Sequence, residues 1–222
     1  AAGQQAEAGI SPPRPVVVTL SRECGSLGKE VGQLLADALE VRCCDRLILQ
    51  EVARRAHVDE KLVAALDQHS RHVEEHWWQR YLHREALSLD SYYRNLLKTV
   101  IAISRTGGVI IGRGANHILG ADKAFRVRVT GSLQRCAELI AEREQVSQAE
   151  AVRIAEASNR ERADYIRRLY KADINDLSHY DLVLNADRFN REQMVALILD
   201  AMSMAGYPVP ENAGQHLDTL SD

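Results

Sequence analysis

Residues 17–32 read VVTLSRECGSLGKEVG, and their order decides the fold. The run Val16-Val17-Val18-Thr19-Leu20 is apolar and β-branched, the pattern of a short strand buried on both faces. A glycine-bearing turn follows. Beyond it Val31, Leu34, Leu35, Ala38 and Leu39 recur on one helical face. Strand, turn and helix in that order suit an anion: glycines let backbone N–H groups converge, and the new helix points its positive dipole end at the charge. Gly25, Ser26, Leu27, Gly28, Lys29 and Glu30 are therefore the expected phosphate cradle, with the Lys29 ammonium reaching terminal phosphates. Against the pattern G-x-x-x-x-G-K-[ST], Glu23 stands at the first glycine and Glu30 at the hydroxyl. Both would repel an unshielded phosphate, so magnesium or nearby arginines must offset them. An ordinary turn with a solvated Lys29 fits the same letters, so the loop alone does not decide function.

Working outward, the pattern repeats. Further strands are expected at 41–44, at Val109-Ile110-Ile111 between glycines, at 125–129 where Phe125, Val127 and Val129 alternate with arginines, and at Leu182-Val183-Leu184. Residues 46–105 read as mostly helical. Helices also follow at 133–144, from the capping signature Ser147-Gln148-Ala149-Glu150, and after Asn190 with Gln193 three residues on. The last should face the core with Met194, Leu197, Ile198 and Ala201. Strands alternating with helices predict an α/β, doubly wound parallel sheet. Residues 16–205 are expected to form one domain, with a flexible leader at 1–15 and a flexible tail at 206–222.

With 45% hydrophobic and 27% charged residues, the 222-residue chain has ample material for a core. A net charge of −3 argues against a dedicated nucleic-acid partner, while leaving room for a local basic pocket. No run reaches the roughly 18 apolar residues of a membrane span. Cys24, Cys43, Cys44 and Cys136 form no CxxC pair, so reduced thiols and a cytoplasmic setting are expected.

Residues 17–32, with Cys44-Asp45 and 109–119 (VIIGRGANHIL), together resemble the cytidylate kinase-like family, a divergent branch of the nucleoside monophosphate kinases. Two later stretches fit as well: Asn159-Arg160-Glu161-Arg162 with Tyr165, and 180–188 (YDLVLNADR). The resemblance runs over about 16–199. It implies a five-stranded parallel sheet in order 2-3-1-4-5 with a helical acceptor-side insertion (46–105) and a lid (147–175). It also implies phosphoryl transfer from ATP, with Mg2+, to CMP or dCMP. Family phosphate loops likewise replace the first glycine and final hydroxyl. Better-characterised cytidylate kinases carry Asp after the glycine-arginine pair, where this chain has Gly114.

Other residues carry two readings each. Arg113, at the C-terminal end of a strand where open α/β sheets place ligands, is expected to clamp the acceptor phosphate, or else to form a surface ion pair. Arg160 and Arg162, best matched to the family lid, would neutralise the transferring phosphoryl group; Arg167, Arg168 and Lys171 follow. Spacing sets Arg160 and Arg167 on one face and Arg162 on another, and a solvated charged helix is the alternative. By the family resemblance Asp45 would sit at the acceptor mouth; it could instead cap the next helix. His69, His72, His76 and His83 could hold zinc but suit a solvated face, so no metal ligand is assigned. Trp77, Trp78 and Tyr81 could stack on a base, but such aromatics more often pack a core or a partner surface and, exposed, would support a homodimer. A nucleotide-binding module without turnover, or a kinase with a non-nucleotide acceptor, would share the same fold.

Overall fold

The computed structural model describes residues 15–45 and 89–213, the side chains of 89–92 excepted. The histidine and tryptophan readings at 69–83, the leader up to residue 14 and the tail from 214 lie outside these residues. In chain order the elements are β1 (Val17–Arg22), α1 (Gly28–Ala38), β2 (Cys43–Cys44), α2 (Leu89–Thr106), β3 (Gly108–Ile111) and α3 (Ala115–Leu119). There follow β4 (Phe125–Thr130), α4 (Leu133–Glu144), α5 (Gln148–Tyr170), a 3-10 turn at Leu177–His179, β5 (Leu182–Asn185) and α6 (Arg191–Met204).

The strands pair in parallel in the order β2-β3-β1-β4-β5, the expected one. Alternation along each strand divides the core between two faces. Val18, Leu20, Val109 and Ile111 point to the side covered by α1 and α6; Val17 and Ile110 point to the side covered by α2 and α3. All six side chains are essentially inaccessible, each worth roughly 1.5–3 kcal/mol of burial. A third cluster, with Ala137, Ile140, Ala151 and Ala155, joins α4 to α5. Among the described residues, no helix is long and apolar enough to cross a membrane.

One reading changes and another gains detail. On α6 the buried face is Met194, Val195, Ile198, Leu199 and Met202, while Leu197 is 37% exposed. That helix is apolar on nearly all sides, so periodicity alone could not fix its rotation; packing on the sheet does. On β4 the arginine face is not solvated. Arg128 is 3% exposed, and Arg126 is held by Asp181 at the start of β5 (Nη2–Oδ1 2.6 Å). Interior strands of a parallel sheet are covered on both faces, and here the second cover is polar.

Candidate active site: a phosphate loop beside an arginine-lined cleft

β1 runs two residues further than its apolar run, so Ser21 and Arg22 close the strand and the turn begins at Glu23. Gly25 takes φ +82°, and a Cβ there would collide with the Cys136 backbone carbonyl of α4; only glycine lets the loop lie this close. Leu27 adopts a left-handed conformation (φ 62°) as the N-cap of α1, without a side-chain cap bond. That backbone costs a non-glycine residue about 1–2 kcal/mol, and a left-handed residue at a helix entry is the kind of turn from which successive amides can form an anion-binding concavity. Lys29 is exposed at this helix start. Ser26 is buried, its hydroxyl 3.0 Å from Glu23 O and 3.2 Å from Val129 O, so it braces the loop with its side chain.

The two glutamates are accounted for. Glu23 turns away from the cradle and ties the loop to the end of β4. Its Oε2 accepts from the Gly131 amide at 3.0 Å and its Oε1 from Arg128 Nη2 at 3.5 Å. Arg128 also donates to Ser21 Oγ (3.2 Å) and Asn175 Oδ1 (3.0 Å), with its guanidinium over the Tyr180 ring. Glu30 faces Arg143 of α4 at 4.0 Å, on the surface.

Beside the loop lies a cleft of about 480 Å³ to which Ser21 and Arg22 belong. Its far walls come from the turn after β3 and from α5. Gly112, Arg113 and Gly114 have φ values of 78°, 58° and 69°, three successive left-handed residues that swing Arg113 into the cleft. Arg113 Nε and Nη2, the side-on edge of its guanidinium, are buried with no hydrogen-bond partner among the described residues, and the group sits 5.3 Å above the Tyr165 ring. Gly114 is pressed against the Tyr170 ring, whose hydroxyl donates to Arg113 O at 2.7 Å; a Cβ at 114 would overlap that ring. The space an acidic side chain would need is filled by tyrosine.

Helix α5 docks directly on the loop. Asn159 Oδ1 accepts from the Cys24 amide at 2.8 Å, and Arg162 Nη1 donates to Arg22 O at 3.0 Å. Arg162 and Arg168 line the cleft, whereas Arg160 and Arg167 are exposed, Arg167 paired with Asp164. The face that carries Arg162 is the one turned inward, because Ala151, Ala155 and Ile166 seat the same stripe of α5 against the protein, which leaves Arg160 and Arg167 on the outer side. Burial first, and then Arg162, pull the Arg22 guanidinium down to about 10; Arg113 adds to this and Asp45 opposes it. Asp45 is half-buried near Arg22, and its helix-cap alternative concerns residues outside those described.

Arg22 and Asn116 line the cleft without having been singled out in the sequence. Arg22 was detectable by the argument used for Arg113, a basic residue at the C-terminal end of a central strand. Nothing in the local pattern marked Asn116. Together the loop offers backbone donors and the cleft offers guanidinium donors, both suited to phosphate. Among the described residues, no group of three or more His, Cys, Asp or Glu side chains could hold a metal ion alone.

Comparison with known proteins agrees in kind. The sequence model of the family described as "Cytidylate kinase-like family" matches residues 17–188. The chain is 34% identical over 102 residues to a cytidylate kinase of Methanothrix thermoacetophila, covering 46% of this chain and 58% of that protein. It is 32% identical over 132 residues to a cytidylate kinase of Pyrococcus horikoshii, covering 58% and 61%. The chain thus spans about three-fifths of the length of these relatives. A crystal structure of an uncharacterized protein from Eubacterium ventriosum superposes with a TM-score of 0.65 at 17% identity, covering 85% of this chain and 98% of that one, and carries the fold.

Proposed function

Given that the chain belongs to the cytidylate kinase-like family, we propose that it transfers the γ-phosphoryl group of ATP to a nucleoside monophosphate, CMP or dCMP foremost. The observation that carries this is the junction at Ser21–Arg22. Ser21 and Arg22, which lead into the donor-phosphate loop, also line the cleft where Arg113 keeps Nε and Nη2 without a partner among the described residues. Donor and acceptor phosphates would then lie side by side.

In the transfer, an oxygen of the acceptor phosphate attacks the γ-phosphorus, the bond to the β-phosphate oxygen breaks, and ADP leaves with that electron pair. The acceptor oxygen is already anionic, so no strong base is needed; positioning and charge neutralisation carry the rate. The amides from Gly25 to Glu30 hold the donor phosphates and Lys29 follows the moving charge. Arg113 grips the acceptor phosphate through its Nε/Nη2 edge. Arg22 and Arg162 neutralise the equatorial oxygens, and α5 excludes water. Glu30, a hard oxygen donor at the hydroxyl position, fits magnesium, which typically takes one or two carboxylates plus substrate phosphates. Magnesium, when bound with ATP, neutralises charge on the phosphates. With all four cysteines unpaired, the reading sets the enzyme in the cytoplasm.

ADP release measured with Mg-ATP and CMP, dCMP, UMP or AMP tests the proposal. ADP formed only when CMP or dCMP is present supports it. ATP-dependent thermal stabilisation without acceptor-dependent ADP would favour a binding module, the reading that Glu30 in place of a hydroxyl supports. Silence across the panel with turnover of another metabolite would indicate a non-nucleotide acceptor.

A further inference from the structure

Asn116, in the first turn of α3, is 7% exposed, lines the cleft, and keeps its side-chain Nδ2 buried with no acceptor among the described residues. A buried amide N–H left unmade costs about 1–3 kcal/mol, so such a group facing a cavity implies a ligand oxygen. Three residues earlier, Arg113 presents its unpaired Nε and Nη2 to the same cavity. An arginine side-on edge matches two oxygens of a phosphate, and a phosphate monoester has a third terminal oxygen. The strained 112–114 turn and the Tyr170 ring packed on Gly114 hold the strand end and the start of α3 in one rigid piece, so the two side chains are set together. Elsewhere on the cleft wall, Glu161 and Asp164 lie on α5 rather than on this turn. Among the described residues, no carboxylate of the cleft wall lies on this turn.

We propose that Asn116 is an acceptor-binding residue whose Nδ2 donates to the phosphate of the acceptor, completing with Arg113 a three-donor seat for a phosphate monoester. The assignment rests on the acceptor reading of the cleft and adds to it. The seat recognises the phosphate, not the base, and it rejects acceptors that offer only a hydroxyl.

Calorimetric titration of the full chain with CMP, inorganic phosphate and cytidine tests this, on the native sequence, Asn116→Asp and Asn116→Ala. The Asp variant is isosteric and sets a carboxylate against the dianion. Its affinity for CMP and for inorganic phosphate should fall in parallel by about 100-fold, with ATP affinity unchanged and cytidine weak throughout. The Ala variant should lose about 10-fold for both, and it decides the matter if the Asp variant does not fold. Unchanged phosphate binding in a folded variant overturns the proposal. So does a loss confined to CMP, which would put Asn116 on the nucleoside. If phosphate binds and is lost in Asn116→Asp while no nucleotide is phosphorylated, the seat stands and the nucleotide reading falls. If neither CMP nor phosphate binds the native chain, both fall.

Discussion

The phosphate loop and the arginine cleft meet at Ser21 and Arg22 yet treat charge in opposite ways. In the loop, each carboxylate that would oppose a phosphate is already engaged: Glu23 by the Gly131 amide and Arg128, Glu30 at longer range by Arg143. What remains is backbone, in a strained left-handed turn. In the cleft, guanidinium groups from three elements face one space. Arg22 is depressed by burial and by Arg162, and the binding edge of Arg113 has no partner among the described residues. The loop ties Glu23 down away from its amides, whereas the cleft keeps two donor atoms of Arg113 without a partner among the described residues. Outside its required glycines a backbone cradle tolerates side-chain change, while a side-chain cleft does not, and single substitutions should separate the two.

The largest effect is expected in the cleft. Arg113→Ala should lower kcat/KM for the acceptor by about 100- to 1,000-fold while leaving ATP binding intact, because it removes a two-bond charged clamp. Arg113→Lys should not restore it, since an ammonium lacks the fork. Equal loss of ATP and acceptor binding would mean that the two sites are not distinct. In the loop, Lys29→Ala should reduce kcat by about 100-fold with little change in Tm, because the side chain is exposed and supports no packing.

The loop and the single strands were legible because each is contiguous; the strand order, which pairs distant stretches, followed from the family resemblance. Strand, glycines and the helical face of Val31, Leu35 and Ala38 occupy one stretch, and local sequence encodes local backbone. The cleft is assembled from β1, the turn after β3 and α5, with Arg22 and Arg162 in contact across 140 positions of sequence. Arg113 could be anticipated because strand ends face ligands. The rotation of α5 could not, because its charged residues occur on every side and only docking through Ala151, Ala155 and Ile166 selects Arg162 over Arg160. Glu23 likewise reads as hostile to phosphate until the fold brings Gly131 and Arg128 to it.

Smaller effects sharpen the contrast. Glu23→Ala should destabilise the fold by about 1–3 kcal/mol, measured by urea unfolding, since it strips the Gly131 amide and leaves the buried Arg128 without its carboxylate. Asn159→Ala should raise KM for ATP a few-fold and spare acceptor affinity, because it releases the Cys24 amide from α5 rather than removing a phosphate ligand.

The smallest effect is a pH dependence on the cleft side alone. His117 of α3 stacks on Tyr170 and meets His179 edge-on, and burial, then His179, then Arg126 hold it down to about 4, with Asp176 opposing. Between that value and the ordinary histidine range the unfolded chain binds a proton that the folded one refuses. Stability should therefore fall as pH drops from about 6.5 toward 4, and His117→Gln should flatten the slope of Tm against pH there.

The central claim is that the turn between β1 and α1 grips polyphosphate. A crystal structure with a non-hydrolysable ATP analogue and magnesium tests it most directly. The account predicts the β- and γ-phosphates against the amides of residues 25–30, with the Lys29 ammonium on their oxygens. A triphosphate bound elsewhere while that turn stays empty would contradict it.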